Sequence, residues 1–197
     1  MTANLPPQTF VAKWRKNRLK ESAAAKEHFL DLCHLLGHPT PAEMDPRGEF
    51  FTFVAFASKQ SGGQGFADVW YKGHFAWEYK GQHANLDKAF QQLDNYRVAL
   101  QNPPLLIVSD LDQVIIRTNF TNTQQRIFTL SLDDLLIPDK LEILRQCFND
   151  PQTLQAPQTS EIVTQQAAGK FAGLADLLRQ AGHAPQDSAH FLIRILF

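Results

Sequence analysis

The sequence has only two cysteines, Cys33 and Cys147, in 197 residues. They lie far apart and form neither a redox pair nor half of a zinc site. No apolar run reaches the roughly 20 residues that a membrane helix requires. The opening stretch, "MTANLPPQTFVAKWRKNRLK", also lacks the apolar segment of a signal peptide. An excess of basic charge is missing too, since the net charge is −1 and the pI about 6.6. That balance excludes a protein that coats nucleic acid through charge alone, and any DNA contact must be local. These absences lead us to expect a reduced, cytoplasmic protein with no membrane contact. A chain with 44% hydrophobic and 20% charged residues can bury a substantial core.

Periodicity gives an α/β order. Apolar residues from Phe10 to Leu36 recur at helical spacing until Gly37 and Pro39, which predicts one long helix or two short ones. "EFFTFVAFAS" (49–58) reads as a strand, "SKQSGGQG" (58–65) as a glycine-rich loop, and 66–71 and 74–80 as two strands flanking Lys72-Gly73. A helix follows over 85–100, opened by an Asn cap and stopped by Asn102-Pro103-Pro104. Two further strands are expected at 105–110 and 114–120, giving αβββαββ. Beyond Leu130 the pattern is helical and broken at Pro138. We divide the chain into a domain over 1–148, a polar linker over 149–160 and a helical segment over 161–197. The apolar ending "AHFLIRILF" suggests that the chain is part of a longer protein.

The chemistry concentrates in "GFADVWYKGHFAWEYKGQ" (65–82). On a strand, alternate side chains leave on opposite faces, so Phe75, Trp77 and Tyr79 share one face while Ala76, Glu78 and Lys80 share the other. A two-residue turn at Lys72-Gly73 would set Asp68 opposite Trp77. A three-residue loop over 72–74, or an equivalent bulge, sets it opposite Glu78, and we expect one of these. Two carboxylates that close repel unless a cation lies between them, and hard oxygen ligands suit Mg²⁺ or Mn²⁺. A neighbouring lysine can orient water and stabilise charge on a phosphate oxygen, so the trio points to phosphodiester hydrolysis. Against this stands the bland reading of D-x9-E-x-K as a charged hairpin surface.

With Asp68, Glu78 and Lys80 across the second and third strands, the sequence resembles the PD-(D/E)xK nuclease superfamily. The run "GFADVWYKGHFAWEYKGQHANLDKAFQQLDNY" is similar to the N-terminal nuclease domain of MmeI-like (type IIL) restriction-modification enzymes. Likeness extends through "PPLLIVSDLDQVIIRTNF" to the C-terminal helical run, which resembles the start of that family's helical spacer. The resemblance implies an αβββαβ mixed sheet flanked by helices and a Mg²⁺-dependent DNA endonuclease acting on double-stranded DNA. Asp68 and Glu78 would be the metal-binding carboxylates, the Tyr79 carbonyl a further ligand, and Lys80 the catalytic lysine. Glu21 matches an acidic residue of the first helix, and Gln92 and Tyr96 match a Q-x-x-x-Y of the helix after the lysine strand. Glu21 would then aid metal or water positioning, with a solvated helix charge as the alternative, while Gln92 and Tyr96 would touch the DNA backbone or brace Lys80, with a core ring as the alternative for Tyr96. Lys13 and Arg15 belong to the basic run "KWRKNRLK", which either is a solvated face or touches phosphates. Ala67 stands where the superfamily has its nominal proline.

The resemblance further implies that the methyltransferase and target-recognition domains lie elsewhere in a longer bacterial or archaeal chain. S-adenosylmethionine would bind there, and a dimer on DNA is one way to cut both strands. Two alternatives remain open on the sequence: a stand-alone repair or recombination nuclease, and a non-catalytic DNA-binding or assembly module. Asn102-Pro103-Pro104-Leu105 lacks the aromatic of an adenine-methyltransferase motif, and "SGGQGF" lacks the Lys-Ser/Thr of a P-loop. Cys33, His34 and His38 have ligand-like spacing but no second pair to complete a zinc site.

Overall fold

The computed structural model describes residues 5–17, 21–58, 64–82, 84–157 and 160–196. The chain divides into two compact units, Met1–Ala156 and Pro157–Phe197. In the first, the helices α1 (Pro7–Arg15), α2 (Glu21–Leu36) and α3 (Pro41–Met44) precede three strands, β1 (Phe51–Ser58), β2 (Gln64–Tyr71) and β3 (Phe75–Tyr79). Next come α4 (Leu86–Asp94), β4 (Leu105–Ser109), β5 (Gln113–Thr118), β6 (Ile127–Ser131) and, after a 3-10 turn, α5 (Pro138–Asn149). The strands form one six-stranded mixed sheet in the order β1-β2-β3-β4-β5-β6. All neighbours are antiparallel except β3 and β4, whose parallel pairing requires the crossover that α4 provides. The second unit consists of α6 (Ser160–Gln180) and α7 (Pro185–Leu196). Among the described residues no helix is long and apolar enough to cross a membrane.

Two cores of unequal size cover the sheet. On one face Phe51, Phe75, Trp77 and Tyr79 pack with Phe10 and Trp14 of α1, Phe29 of α2 and Phe148 of α5. Many of the rings meet edge-on, as in Phe29 against Trp77 at 5.6 Å and 86°, while others stack, as Trp77 and Tyr79 do at 5.7 Å and 18°, both arrangements that ring quadrupoles favour. Among the described residues the Trp77 indole N–H has no hydrogen-bond partner. That costs about 1–3 kcal/mol, a penalty that burial of so large a ring offsets. On the other face Leu86, Ala89 and Leu93 of α4, with Tyr96 and Leu100, seat on Trp70, Ala76, Leu106 and Val108. Strands β3 and β4 are therefore buried on both faces along their length.

The N-terminal apolar stretch is two helices, one of the two arrangements expected, and the second ends at Gly37, whose φ of +68° suits a residue without a Cβ. Elements were placed differently from the sequence reading at three points. Helix α4 stops at Asp94, and the chain turns on to Gln101 and Asn102, both at positive φ, before the two prolines. Strand β6 was not anticipated. Its Ile127 is 57% exposed, and of its five residues only Leu130 is buried, so no alternation advertised it. Pro138 opens α5 rather than breaking a helix, because a first-turn N–H has no intrahelical acceptor to lose. Of the glycine-rich loop, residues 59–63 lie outside the described residues. Within 149–160, Pro151 and Leu154 are buried in a 3-10 turn of the first unit.

Beneath the aromatic face, His28 of α2 is buried between Phe10, Trp14 and Tyr79. Its Nδ1 lies 2.9 Å from the Tyr79 hydroxyl. Burial, aided by the Lys13 charge, pulls its pKa down to about 3. The unfolded chain takes up this proton near pH 6.5 and the folded chain does not, so stability falls as pH drops from about 6.5 toward 3, by about 1.4 kcal/mol per pH unit. Urea midpoints across that range should show the slope, and His28→Gln should remove about one proton's worth of it. Burial also pushes the Cys33 thiol up to about 12 and the Cys147 thiol higher still. Both should resist Ellman's reagent in the native protein and react only on unfolding.

Candidate active site

The connection from β2 to β3 is the three-residue loop over 72–74, with Gly73 at φ +75°. The ladder pairs Tyr71 with Phe75, Trp70 with Ala76 and Val69 with Trp77, and there it ends. Continued by one residue, this register sets Asp68 level with Glu78. The backbones do not pair there; instead the Tyr79 N–H donates to Asp68 Oδ2 at 2.7 Å. A side chain has taken the place of a ladder carbonyl. Alternation along β2 also breaks at this point. Ala67 packs in the α4 cluster, although Val69 and Tyr71, on its side of a regular strand, belong to the aromatic core. Asp68 thus stands where β2 departs from β3, half-buried and bonded through its carboxylate to the neighbouring strand.

Glu78 lies on β3 opposite Val108 of β4, with its side chain 8% exposed. A carboxylate so buried requires compensating charge or hydrogen bonds. Lys80, just past the end of β3, supplies both: its Nζ lies 2.6 Å from Glu78 Oε1. Its backbone is held as well, because the Lys80 N–H donates to the Ser109 carbonyl at 2.8 Å. Between the two, Tyr79 points into the aromatic core and meets His28. Burial, then the negative charges that Cys33 and Asp68 can carry, hold its phenol well above the ordinary tyrosine range. Tyr79 is therefore neutral, and it braces the site from behind.

The remaining sequence-derived residues scatter. Glu21 is the first residue of α2, but its side chain lies outside the described residues. Gln92 is exposed on α4. Tyr96 is 1% exposed within the smaller core, where it packs rather than presenting its ring to a ligand. Lys13 is 2.7 Å from each of Glu27 and Asp31 on α2, and Arg15 pairs with Asp133. Burial lowers the Lys13 pKa, but bonds to Asp31 and Glu27 outweigh this and the net shift is upward. The lysine is a held cation beside two carboxylates. His28 was missed by the sequence reading, although Ala24, Ala25, His28, Phe29 and Leu32 recur at helical spacing and place a histidine within an apolar stripe.

The sequence matches the family model described as "MmeI, N-terminal domain" over residues 6–181. The chain belongs to the MmeI N-terminal domain family. Membership makes it a restriction-enzyme-related domain and implies interaction with DNA within a multidomain restriction-modification enzyme. No curated protein and no solved structure gave a match. In this family member the match takes in both carboxylates, the lysine and all of α6.

A metal held between Asp68 and Glu78 would meet carboxylate oxygens as its side-chain donors. Among the described residues no group of three or more His, Cys, Asp or Glu side chains could hold a metal. The Asp68 bond also has a purely structural consequence. Asp68→Ala leaves the Tyr79 N–H without its acceptor and should cost about 1–3 kcal/mol in urea denaturation, whereas Asp68→Asn retains an acceptor oxygen and should cost less.

Proposed function

We propose that the first unit is a metal-dependent DNA endonuclease domain that hydrolyses phosphodiester bonds. The observation that carries this reading is that Glu78 and Lys80 pair with each other while the Asp68 carboxylate accepts from the N–H of Tyr79, the residue between them. Family membership supports it, since it makes this a restriction-enzyme-related domain. Asp68 and Glu78 would hold Mg²⁺ or Mn²⁺, with the Tyr79 carbonyl as a further oxygen. What the metal supplies when bound is a lowered water pKa and a polarised phosphate. Lys80 positions the attacking water or neutralises charge on a non-bridging oxygen as the P–O bond opposite the water breaks. Gln92, exposed on the helix that follows Lys80, is offered to the DNA backbone, and Glu21 to water or metal positioning. Choice of DNA sequence, and methylation with S-adenosylmethionine, we assign to other domains of the full-length enzyme.

Cleavage of supercoiled plasmid tests this at low salt with Mg²⁺ or Mn²⁺. Wild type should nick only with metal, and Asp68→Ala and Lys80→Ala should each lose activity by at least about a hundredfold. A Lys80→Ala protein cutting at the wild-type rate would remove the lysine from the mechanism. Metal-independent cutting would remove the metal.

A further inference from the structure

Lys80 Nζ and Glu78 Oε1 are 2.6 Å apart, and their side chains are 25% and 8% exposed. A pair so placed is charge-assisted and screened less than one at an open surface. In the reaction proposed above, each partner has another task. Glu78 must face a divalent cation, and the lysine must face water or phosphate. A carboxylate has lone pairs enough for two partners. A lysine and a divalent cation on the same carboxylate, however, repel with twice the energy of two monovalent charges at that distance.

We propose that Lys80 and a divalent cation compete for the Glu78 carboxylate, so that cation binding moves the ammonium off Glu78 and toward the substrate. This rests on the reading of Asp68 and Glu78 as metal ligands. The four-carbon stem gives the ammonium its reach, while the Lys80 backbone stays tied to Ser109. Metal and lysine then act in order: the charge needed at the phosphate is released only once the metal has arrived. Asp68, the other proposed ligand, is bonded to the Tyr79 N–H and serves as the control.

Competition predicts that removing the lysine's charge strengthens metal binding. Mn²⁺ affinity is measured by calorimetry at about pH 8, where free carboxylates are ionised, on wild type, Lys80→Met, Lys80→Gln, Lys80→Arg and Asp68→Asn. The two neutral variants should bind about tenfold more tightly, roughly the worth of one hydrogen bond to a charged group. Lys80→Arg should stay near wild type, and Asp68→Asn should bind more weakly. Unchanged or weaker binding in both neutral variants, with wild type binding and Asp68→Asn impaired, overturns the competition and leaves the metal site standing. Absence of Mn²⁺ binding by wild type at millimolar concentration removes the metal site and the competition together.

Discussion

Successive side chains of β3 must leave on opposite faces of the sheet, and the architecture of the first unit depends on how its five residues meet that constraint. Phe75, Trp77 and Tyr79 go to the aromatic core, where α1, α2 and α5 cover them. Ala76 and Glu78 go to the side that α4 covers. A charged residue can be tolerated there because β3 ends one residue later, bringing Lys80 within reach of Glu78. The end of the β2–β3 ladder leaves the Tyr79 N–H to Asp68. The strand thus serves as the spine of both cores and as the shelf on which the charged trio sits.

Much of this was legible in the residues. Alternation through "FAWEYK" separated the aromatics from the charges, and Gly73 signalled a loop whose length fixes the level of Asp68. The helix after Lys80 announced itself through Asn85 and the spacing of Leu86 and Leu93, and the N-cap bond from Lys88 to Asn85 is present. Less legible were features set by distant partners. Nothing local tells that β4 lies parallel to β3 and lends the Ser109 carbonyl to Lys80. The basic run around Lys13 reads as free charge until α2 brings Glu27 and Asp31 beside it. Strand β6 escaped because an edge strand that buries one side chain carries almost no hydrophobic period.

Tyr79 links the two layers. Its backbone N–H positions Asp68, and its hydroxyl meets His28, a residue kept neutral by burial. An aromatic ring in a close-packed core is a rigid anchor, since movement would open voids on one side and clashes on the other. The carboxylate therefore inherits its position from the core rather than from the loop beyond β2. Sites built on such supports hold their geometry better than sites carried by loops alone.

The α4 side has a different character, for Ala67, Ala76 and Ala89 are all buried there within one small cluster. Alanines let helix and sheet approach closely, and at that distance an added methylene has nowhere to go. The two faces consequently differ in how much sequence drift they can absorb. Aromatic positions can exchange one large ring for another with local repacking, whereas the alanine positions can grow only by lifting α4. Lifting α4 would carry Gln92 with it, so over generations of substitution the smallest side chains in the unit are the ones least free to vary.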